Sequence, residues 1–313
     1  MANKIRIAVL SGGWSKERSV SIKSGKAVLG ALDNEKYETA AFDPKDGLNA
    51  LWERKKEFDL IFSVLHGKYG EDGRMQGLLE VFDIPYVGSG VLASAMAMNK
   101  RVTKEVYKSV GLRVPNDMVL KREDRVSIDA IRDKLGMPVV IKPVSEGSSI
   151  GISIVDSDRE VQAGIEKALA FDCETLVEEY VSGREITCAV LGRRDLETLP
   201  LIEIVPKDTH RFFDFDAKYI AGESNEICPA QINPSLERDF CAMAKKAHEA
   251  LLCRDWSRTD MIVNAQEEIF ILETNTIPGM TETSLVPLAA KGKGWSLTQL
   301  LDRMINVCLT EPE

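Results

Sequence analysis

Histidine is scarce in this chain, with only His66, His210 and His248 among 313 residues. Its six cysteines (Cys173, Cys188, Cys228, Cys241, Cys253 and Cys308) stand singly, with no Cys-x-x-Cys pair. A zinc cage needs several such ligands at close spacing, so none is expected. Cysteines scattered this way pack as small hydrophobes, which suits a reducing cytoplasm. There is no basic excess either: 40 Lys and Arg against 49 Asp and Glu leave a net charge of −9. Clusters such as Arg54-Lys55-Lys56 are short and sit among acids. A nucleic-acid partner is therefore excluded, because such binding rests on many phosphate contacts. No apolar run approaches the ~20 residues of a membrane span. The stretch Ile5-Arg6-Ile7-Ala8-Val9-Leu10 runs straight into Ser11-Gly12-Gly13, the pattern of a first strand rather than of a signal peptide. A cytoplasmic location with no membrane partner is expected. A Walker sequence G-x-x-x-x-G-K-[ST] is absent too, so a nucleotide would have to be held by some other device.

What is present is 44% hydrophobic residues over a length that calls for two or three packed domains. The first hundred residues alternate strand and helix patterns: strands at 5–10 and 58–65, helices at 19–32 and 74–82, and a helix running from Gly90 through Lys100 to Gly111. Met75, Leu78, Leu79 and Phe82 give the second of these an apolar face. Such alternation predicts a parallel sheet covered on both sides, with ligands beyond the carboxyl ends of its strands. The loops 11–18 and 66–73 lie there. A second, α+β unit follows, with strands at 137–143, 150–155 and 174–181 and a helix at 158–170 capped by Asp158. The remainder is β-rich at 186–191 and 199–205, then continues through a loop at 206–222 and a helix at 235–252. A hairpin and a last amphipathic helix at 297–309 complete it.

That hairpin carries the most informative residues. Trp256-Ser257-Arg258-Thr259-Asp260-Met261-Ile262-Val263 and Glu268-Ile269-Phe270-Ile271 flank a short polar link. Residues two apart on a strand share a face, so Glu273 and Asn275 point the same way, before a Pro-Gly turn. These are hard oxygen ligands of the kind Mg²⁺ accepts beside waters and phosphates. Asp260 is a third candidate, with Arg258 on its face. An edge hairpin with solvated polar residues would present the same pattern.

Two other patterns lead nowhere. Gly88-Ser89-Gly90-Val91-Leu92-Ala93 matches the loose dinucleotide fingerprint, but no acid follows about 20 residues on at a strand end. Gly147-Ser148-Ser149-Ile150-Gly151 matches a nucleophile elbow, but strand-like residues follow where a helix is required. His248 lies mid-helix, away from any such serine. The same segment reads better as a phosphate-covering loop. A strand delivers Lys142, glycine lets backbone amides approach an anion, and Ser148 and Ser149 add donors. A plain Gly/Ser hairpin turn is the alternative. Glu178-Glu179-Tyr180-Val181 ends a strand between two units, where its backbone groups can pair with an adenine edge and Glu185 can reach a ribose. His66 and Glu17 project from the two N-terminal loops, Glu17 as a candidate for holding an ammonium group. Asp72 is placed to cap the helix at 74 and Ser19 the helix at 19.

Together these residues resemble the D-alanine–D-alanine ligase family of the ATP-grasp superfamily, nearly end to end. The resemblance is carried by Gly12-Gly13-x-Ser15-x-Glu17-Arg18-x-Val20-Ser21, His66-Gly67-x-x-Gly70-Glu71-Asp72-Gly73 and Tyr86-x-Gly88-Ser89-Gly90. It continues in Lys142-Pro143-x-x-Glu146-Gly147-Ser148-Ser149, Asp216-Ala217-Lys218-Tyr219 and Arg258-x-Asp260. It closes in Glu273-x-Asn275-Thr276-x-Pro278-Gly279-Met280-Thr281 and Ser284-Leu285-Val286-Pro287. Asn99 stands where the family has Asp, and Ile277 varies within its motif.

The resemblance implies an α/β and α+β chain: an N-terminal parallel α/β domain (1–98), then a two-lobed ATP-grasp module made of 99–183 and 184–313. It implies ATP-dependent joining of two D-alanines through a D-alanyl phosphate, for peptidoglycan precursors. Two Mg²⁺ ions, replaceable by Mn²⁺, would sit on Asp260, Glu273 and Asn275. Lys100 and Lys142 would meet the α- and β-phosphates, and Lys218 the γ-phosphate. Glu17 would grip the first D-alanine, linked to Ser148 and Tyr219, with His66 near its carboxylate. Arg258 and the Gly279 amide would stabilise an oxyanion, and Ser284 with the Leu285 amide would bind the second carboxylate. A homodimer is the expected assembly. A D-alanine–D-lactate or D-serine ligase, or a non-catalytic ATP-binding protein, are the competing readings. Tyr219 and Leu285 favour the dipeptide.

Overall fold

The computed structural model describes residues 4–124, 126–206 and 224–310. Four parallel strands open the chain: β1 (Ile5–Leu10), β2 (Tyr37–Phe42), β3 (Leu60–Ser63) and β4 (Tyr86–Val87), in the order β2-β1-β3-β4. All four residues of β3 are buried, as strands covered on both faces must be. The helices here are α1 (Arg18–Ala31), α2 (Pro44–Glu53), α3 (Arg74–Phe82), α4 (Val91–Met98) and α5 (Lys100–Ser109). The expected continuous helix through Lys100 is instead two helices. Asn99 adopts extended backbone (φ −96°, ψ 99°), and its side chain accepts from the Val102 amide at 3.0 Å, capping α5. Two expected caps are corrected as well. Ser19 lies inside α1, whose N-cap position is Glu17. Asp158 is the first residue of its helix, behind Ser157. At α3 the N-cap is Gly73, while Asp72 still accepts from the Arg74 amide at 3.2 Å.

A second sheet has the order β5-β8-β6-β7, from β5 (Asp117–Lys121), β6 (Val139–Pro143), β7 (Ser153–Val155) and β8 (Glu174–Glu179). It is antiparallel at each junction. Helices α6 (Ile128–Leu135) and α7 (Asp158–Leu169) pack on it around Ile131, Ile141, Val161, Ile165 and Val177. This lobe has a core of its own.

The third sheet has the order β12-β11-β9-β13-β14, with β10 (Glu197–Thr198) paired to β9. Its members are β9 (Arg184–Leu191), β11 (Ile202–Pro206), β12 (Ser224–Ile227), β13 (Trp256–Val263) and β14 (Ile269–Asn275). Among the described residues three further helices follow: α8 (Pro234–Ala250), α9 (Leu285–Gly292) and α10 (Leu297–Thr310). One core spans the first and third sheets. Ile7, Val9, Leu60 and Phe62 share it with Ala189, Leu191, Ile202 and Ile204, and Leu300, Leu301, Met304 and Ile305 of α10 fill it. The other face of the third sheet packs on α5 and α8 through Tyr107, Phe240, Met261 and Ile271.

Gly88-Ser89-Gly90 finds its purpose at this seam. The Gly88 amide donates to Asp255 Oδ2 at 2.7 Å, and the fully buried Asp255 also pairs with Arg193 at 2.5 Å. The glycine turn docks one sheet on the other. His248 is likewise structural: it is buried, its Nδ1 lies 2.7 Å from Ser257 Oγ, and burial pushes its pKa down to about 4.

Candidate active site

The hairpin β13–β14 forms with Arg258 opposite Asn275 and Asp260 opposite Glu273. Between Asp260 and Met261 the register shifts, because Met261 pairs with Ile271 and Leu272 is the extra residue. A bulge of this kind re-aims the side chains on either side of it. In a regular strand Ile269, Ile271, Glu273 and Asn275 would all share one face. The bulge lets Ile269 and Ile271 enter the core with Thr274, while Glu273 and Asn275, both half-buried, face the other way. Arg258 grips Asp260 with two parallel bonds of 2.8 Å, from Nε to Oδ1 and from Nη2 to Oδ2. Thr187 on β9 donates to Asp260 Oδ1 at 2.5 Å. Both charged groups are nearly buried, so this bidentate geometry holds them in a fixed orientation.

Among the described residues, no group of three or more His, Cys, Asp or Glu stands close enough to cage a metal. Two carboxylates and an amide oxygen on one sheet face are a different donor set. It suits Mg²⁺, which takes one or two carboxylates and completes its shell with phosphates and water. Asn275 Oδ1 also accepts from the Ile277 amide at 2.9 Å, which fixes that side chain.

In the second sheet, the antiparallel pair β6–β7 carries the loop between Pro143 and Ser153. Ser148 and Ser149 both lie in the left-handed region (φ 51° and 57°). Such backbone is costly for residues other than glycine and concentrates at functional sites. Lys100 Nζ donates to the Glu146 carbonyl at 2.5 Å, tying α5 to this loop. Lys142, from β6, pairs with Glu178 Oε2 at 2.6 Å. Ser148 Oγ donates to Glu17 Oε1, which joins the loop to the N-terminal unit.

Glu17 is buried at the start of α1. Gly67 passes directly beneath it with φ +68°, and a Cβ there would collide with the Glu17 carboxylate. His66 is buried, its Nε2 3.1 Å from Ser24 Oγ and its Nδ1 3.5 Å from Glu71 Oε1. Burial alone would lower the imidazole pKa, but Glu71 and, more weakly, Glu17 outweigh it and raise the value. Ser24 Oγ in turn accepts from the Met280 amide at 3.3 Å, so His66 is wired to the turn after β14. In that turn Gly279 lies against Ser284: a Cβ on it would sit 2.7 Å from Ser284 Oγ. Ser284 also accepts from the Thr281 amide at 3.1 Å and stands at the N-cap position of α9 without a side-chain cap bond, which places the Leu285 amide in the first turn of that helix.

Along 178–181 the side chains are held away from one another. The Glu178 side chain faces inward to lysines, and Glu179 is held by Asn116, whose amide donates to it at 2.8 Å. Tyr180 is exposed and Val181 and Glu185 are half-buried, at the junction of β8 and β9. Lys218 and Tyr219 lie outside the described residues. Sequence reasoning passed over Ser24, Glu71, Thr187 and Lys104. Glu71 sat within a quoted motif; the others gave no local signal.

Two family descriptions match the chain: D-ala D-ala ligase C-terminus over residues 106–306, and D-ala D-ala ligase N-terminus over 46–89. A D-alanine–D-alanine ligase of Syntrophobacter fumaroxidans is 49% identical over 308 residues, covering 98% of this chain and 99% of the relative. The crystal structure of the D-alanine–D-alanine ligase from Bacillus anthracis complexed with ATP superposes with a TM-score of 0.85 at 33% identity, covering 97% of each chain. The VanG D-Ala:D-Ser ligase of Enterococcus faecalis superposes with a TM-score of 0.84, also at 33% identity, covering 98% of this chain and 100% of the other.

Proposed function

This chain belongs to the D-alanine–D-alanine ligase family, and we infer that it joins two D-alanines by a peptide bond at the expense of ATP. One observation carries the reading: Glu17, a buried carboxylate fit to hold an amino acid's ammonium, is bonded to Ser148 of the loop to which phosphate covering is assigned. An amino acid and a phosphoryl donor are thereby brought to one place, and proximity of that kind is the first requirement of a ligase.

A carboxylate is a poor electrophile. One of its oxygens attacks the γ-phosphorus of ATP, the bond to the ADP oxygen breaks, and the acyl phosphate that results carries a good leaving group. Lys100 and Lys142 hold the α- and β-phosphates, with Ser149 and the loop amides beside them and Lys218 at the γ-phosphate. The backbone of 178–181 meets the adenine and Glu185 the ribose. Asp260, Glu273 and Asn275 would hold two Mg²⁺ ions, whose positive charge would offset the negative charge of a phosphoryl group in transfer. The amine of the second D-alanine, its carboxylate held by Ser284 and the Leu285 amide, then attacks the carbonyl carbon. Negative charge moves to the carbonyl oxygen, where Arg258 and the Gly279 amide receive it. Phosphate leaves and the nitrogen loses a proton. Arg258 suits this role because its guanidinium keeps its charge throughout. His66 lies toward the first D-alanine's carboxylate, and its Glu71 partner favours the protonated form that would pair with it. Tyr219, outside the described residues, would complete the Glu17–Ser148 link. A division into 1–98, 99–183 and 184–313, a homodimer and a cytoplasmic site complete the proposal. Among the described residues no helix is long and apolar enough to cross a membrane.

The test is a mixture of D-alanine, D-serine and D-lactate supplied with ATP and Mg²⁺, with products read by mass spectrometry. D-alanyl-D-alanine as the main product, with phosphate release supported by D-alanine and not L-alanine, is expected. A predominant D-alanyl-D-lactate or D-alanyl-D-serine product would contradict the substrate assignment. An absence of D-alanine-dependent phosphate release would contradict the activity.

A further inference from the structure

One buried cation is left without a role by the reaction. Lys104 lies on α5 one turn after Lys100, and only 2% of it is exposed. Its ammonium donates to Glu178 Oε1 at 2.5 Å and to the Pro115 carbonyl at 2.7 Å, and it pairs with Asp117 Oδ1 at 3.4 Å. An ammonium has three protons, and here three acceptors take them. Lys104 therefore has nothing left with which to bind a ligand. Asp117 is shared with the more exposed Lys108 at 3.0 Å, so those two charges largely offset each other.

What Lys104 does control is Glu178. That carboxylate is 3% exposed and spans two lysines, one oxygen to Lys104 and the other to Lys142 at 2.6 Å. Burial by itself would favour the neutral acid, but the two ammonium groups hold the carboxyl below its usual range, so it is ionised. Among the described residues Glu178 is the Lys142 ammonium's one partner, leaving two of its three N–H donors for a ligand. If Glu178 faced Lys142 alone, the pair would be neutral, and an arriving phosphate would meet little net attraction from so buried a pair. With Lys104 behind the carboxylate, the trio carries one net positive charge. The three residues also come from three elements, α5, β8 and β6, so the cluster fixes where the Lys142 head group stands relative to α5.

We propose that Lys104 is a positioning residue for the nucleotide: it anchors and charge-balances Glu178 so that Lys142 offers an oriented, uncompensated positive charge to a nucleoside diphosphate or triphosphate. The inference rests on the assignment of Lys142 to the phosphates, and the experiment separates the two. Binding of ADP and of adenosine, which lacks phosphates, is measured by calorimetry on the full chain carrying Lys104→Met, Lys104→Gln or Lys142→Met.

In both Lys104 variants ADP affinity should fall about tenfold or more, the scale of one charge-assisted hydrogen bond. Adenosine affinity should stay within about twofold of wild type, since nothing at the base or ribose has changed. The KM for ATP should rise while the KM for D-alanine holds. ADP affinity unchanged in the Lys104 variants but reduced in Lys142→Met would overturn the inference and leave the phosphate assignment standing. Unchanged affinity in all three would remove the assignment, and the inference with it. Equal losses for ADP and adenosine, or failure of both Lys104 variants to fold, would show that Lys104 serves the fold instead.

Discussion

The central lobe and the rest of the molecule are built on different terms. The first and third sheets share one apolar core, in which strands from both ends of the chain close around α10. The lobe formed by β5 to β8 keeps its core to itself. Its contacts with the remainder are largely polar: Lys100 to the Glu146 carbonyl, Ser148 to Glu17, Lys104 to Glu178, and Lys16 4.1 Å over the Phe171 ring. Apolar burial is non-directional and lost only when the fold is lost. A polar seam is directional and can exchange its partners for water or for ligand. With the proposed function, the lesson is a division of labour, in which the fused body fixes the groups that must keep their geometry and the lobe would bring the phosphates to them.

The largest effect should come from the body. Glu273→Gln should lower turnover by more than the roughly 10²–10³ typical of a single oxyanion donor, because the proposed function rests two Mg²⁺ ions on it. Its ADP affinity, set mainly in the lobe, should fall much less. Unchanged turnover at saturating Mg²⁺ would break the assignment.

Next in size are two core truncations read by hydrogen exchange. Leu301→Ala and Ile141→Ala each remove a fully buried side chain, at a cost of about 2–5 kcal/mol. Exchange in Leu301→Ala should quicken in both β1 and β11, since one core serves both. In Ile141→Ala it should quicken in β6 to β8 and spare β1. A uniform response to both variants would mean that the lobe has no independent stability.

The smallest effect concerns pH. His66 has a raised pKa in the folded protein, so the folded state holds its proton more tightly than the unfolded state. The stabilisation is full below the unfolded value of about 6.5 and is lost as pH rises through the elevated folded value. Glu71→Gln should remove that dependence. Wild type should therefore exceed the variant by most in mildly acidic solution, with the gap narrowing as pH rises. Parallel denaturation midpoints for the two proteins from pH 5 to 9 would contradict the pairing.

Much of this was legible in the residues themselves. The period of Met75, Leu78, Leu79 and Phe82 delimits α3 as found, and the polar face of Arg258, Asp260, Glu273 and Asn275 follows from a two-residue repeat. That face survives in the structure only because of the Leu272 bulge, which a strict repeat does not predict. Local pattern also hid Asn99, whose short side chain caps a helix in the middle of an otherwise helical stretch. The elements β2, α2, β5, α6 and α9 were not anticipated: each has ten residues or fewer, too short for a clear period, and α2 and α6 are begun by the single caps Asp43 and Ser127. Lys104 was the least visible. In sequence it is one more cation on a charged helix, and only the approach of β8 turns it inward.

The division of labour is tested most directly by trapping the acyl phosphate. Arg258→Ala leaves the lobe's proposed phosphate-holding groups intact and removes the guanidinium that is bonded to Asp260. With hydroxylamine present, D-alanyl phosphate is captured as the hydroxamate, and dipeptide formation is followed in parallel. Dipeptide turnover should fall by on the order of 10²–10³ while hydroxamate formation falls far less, because phosphorylation still has its lysines and metal ligands. Equal losses in the two products would contradict the account, placing Arg258 in phosphoryl transfer or in the fold.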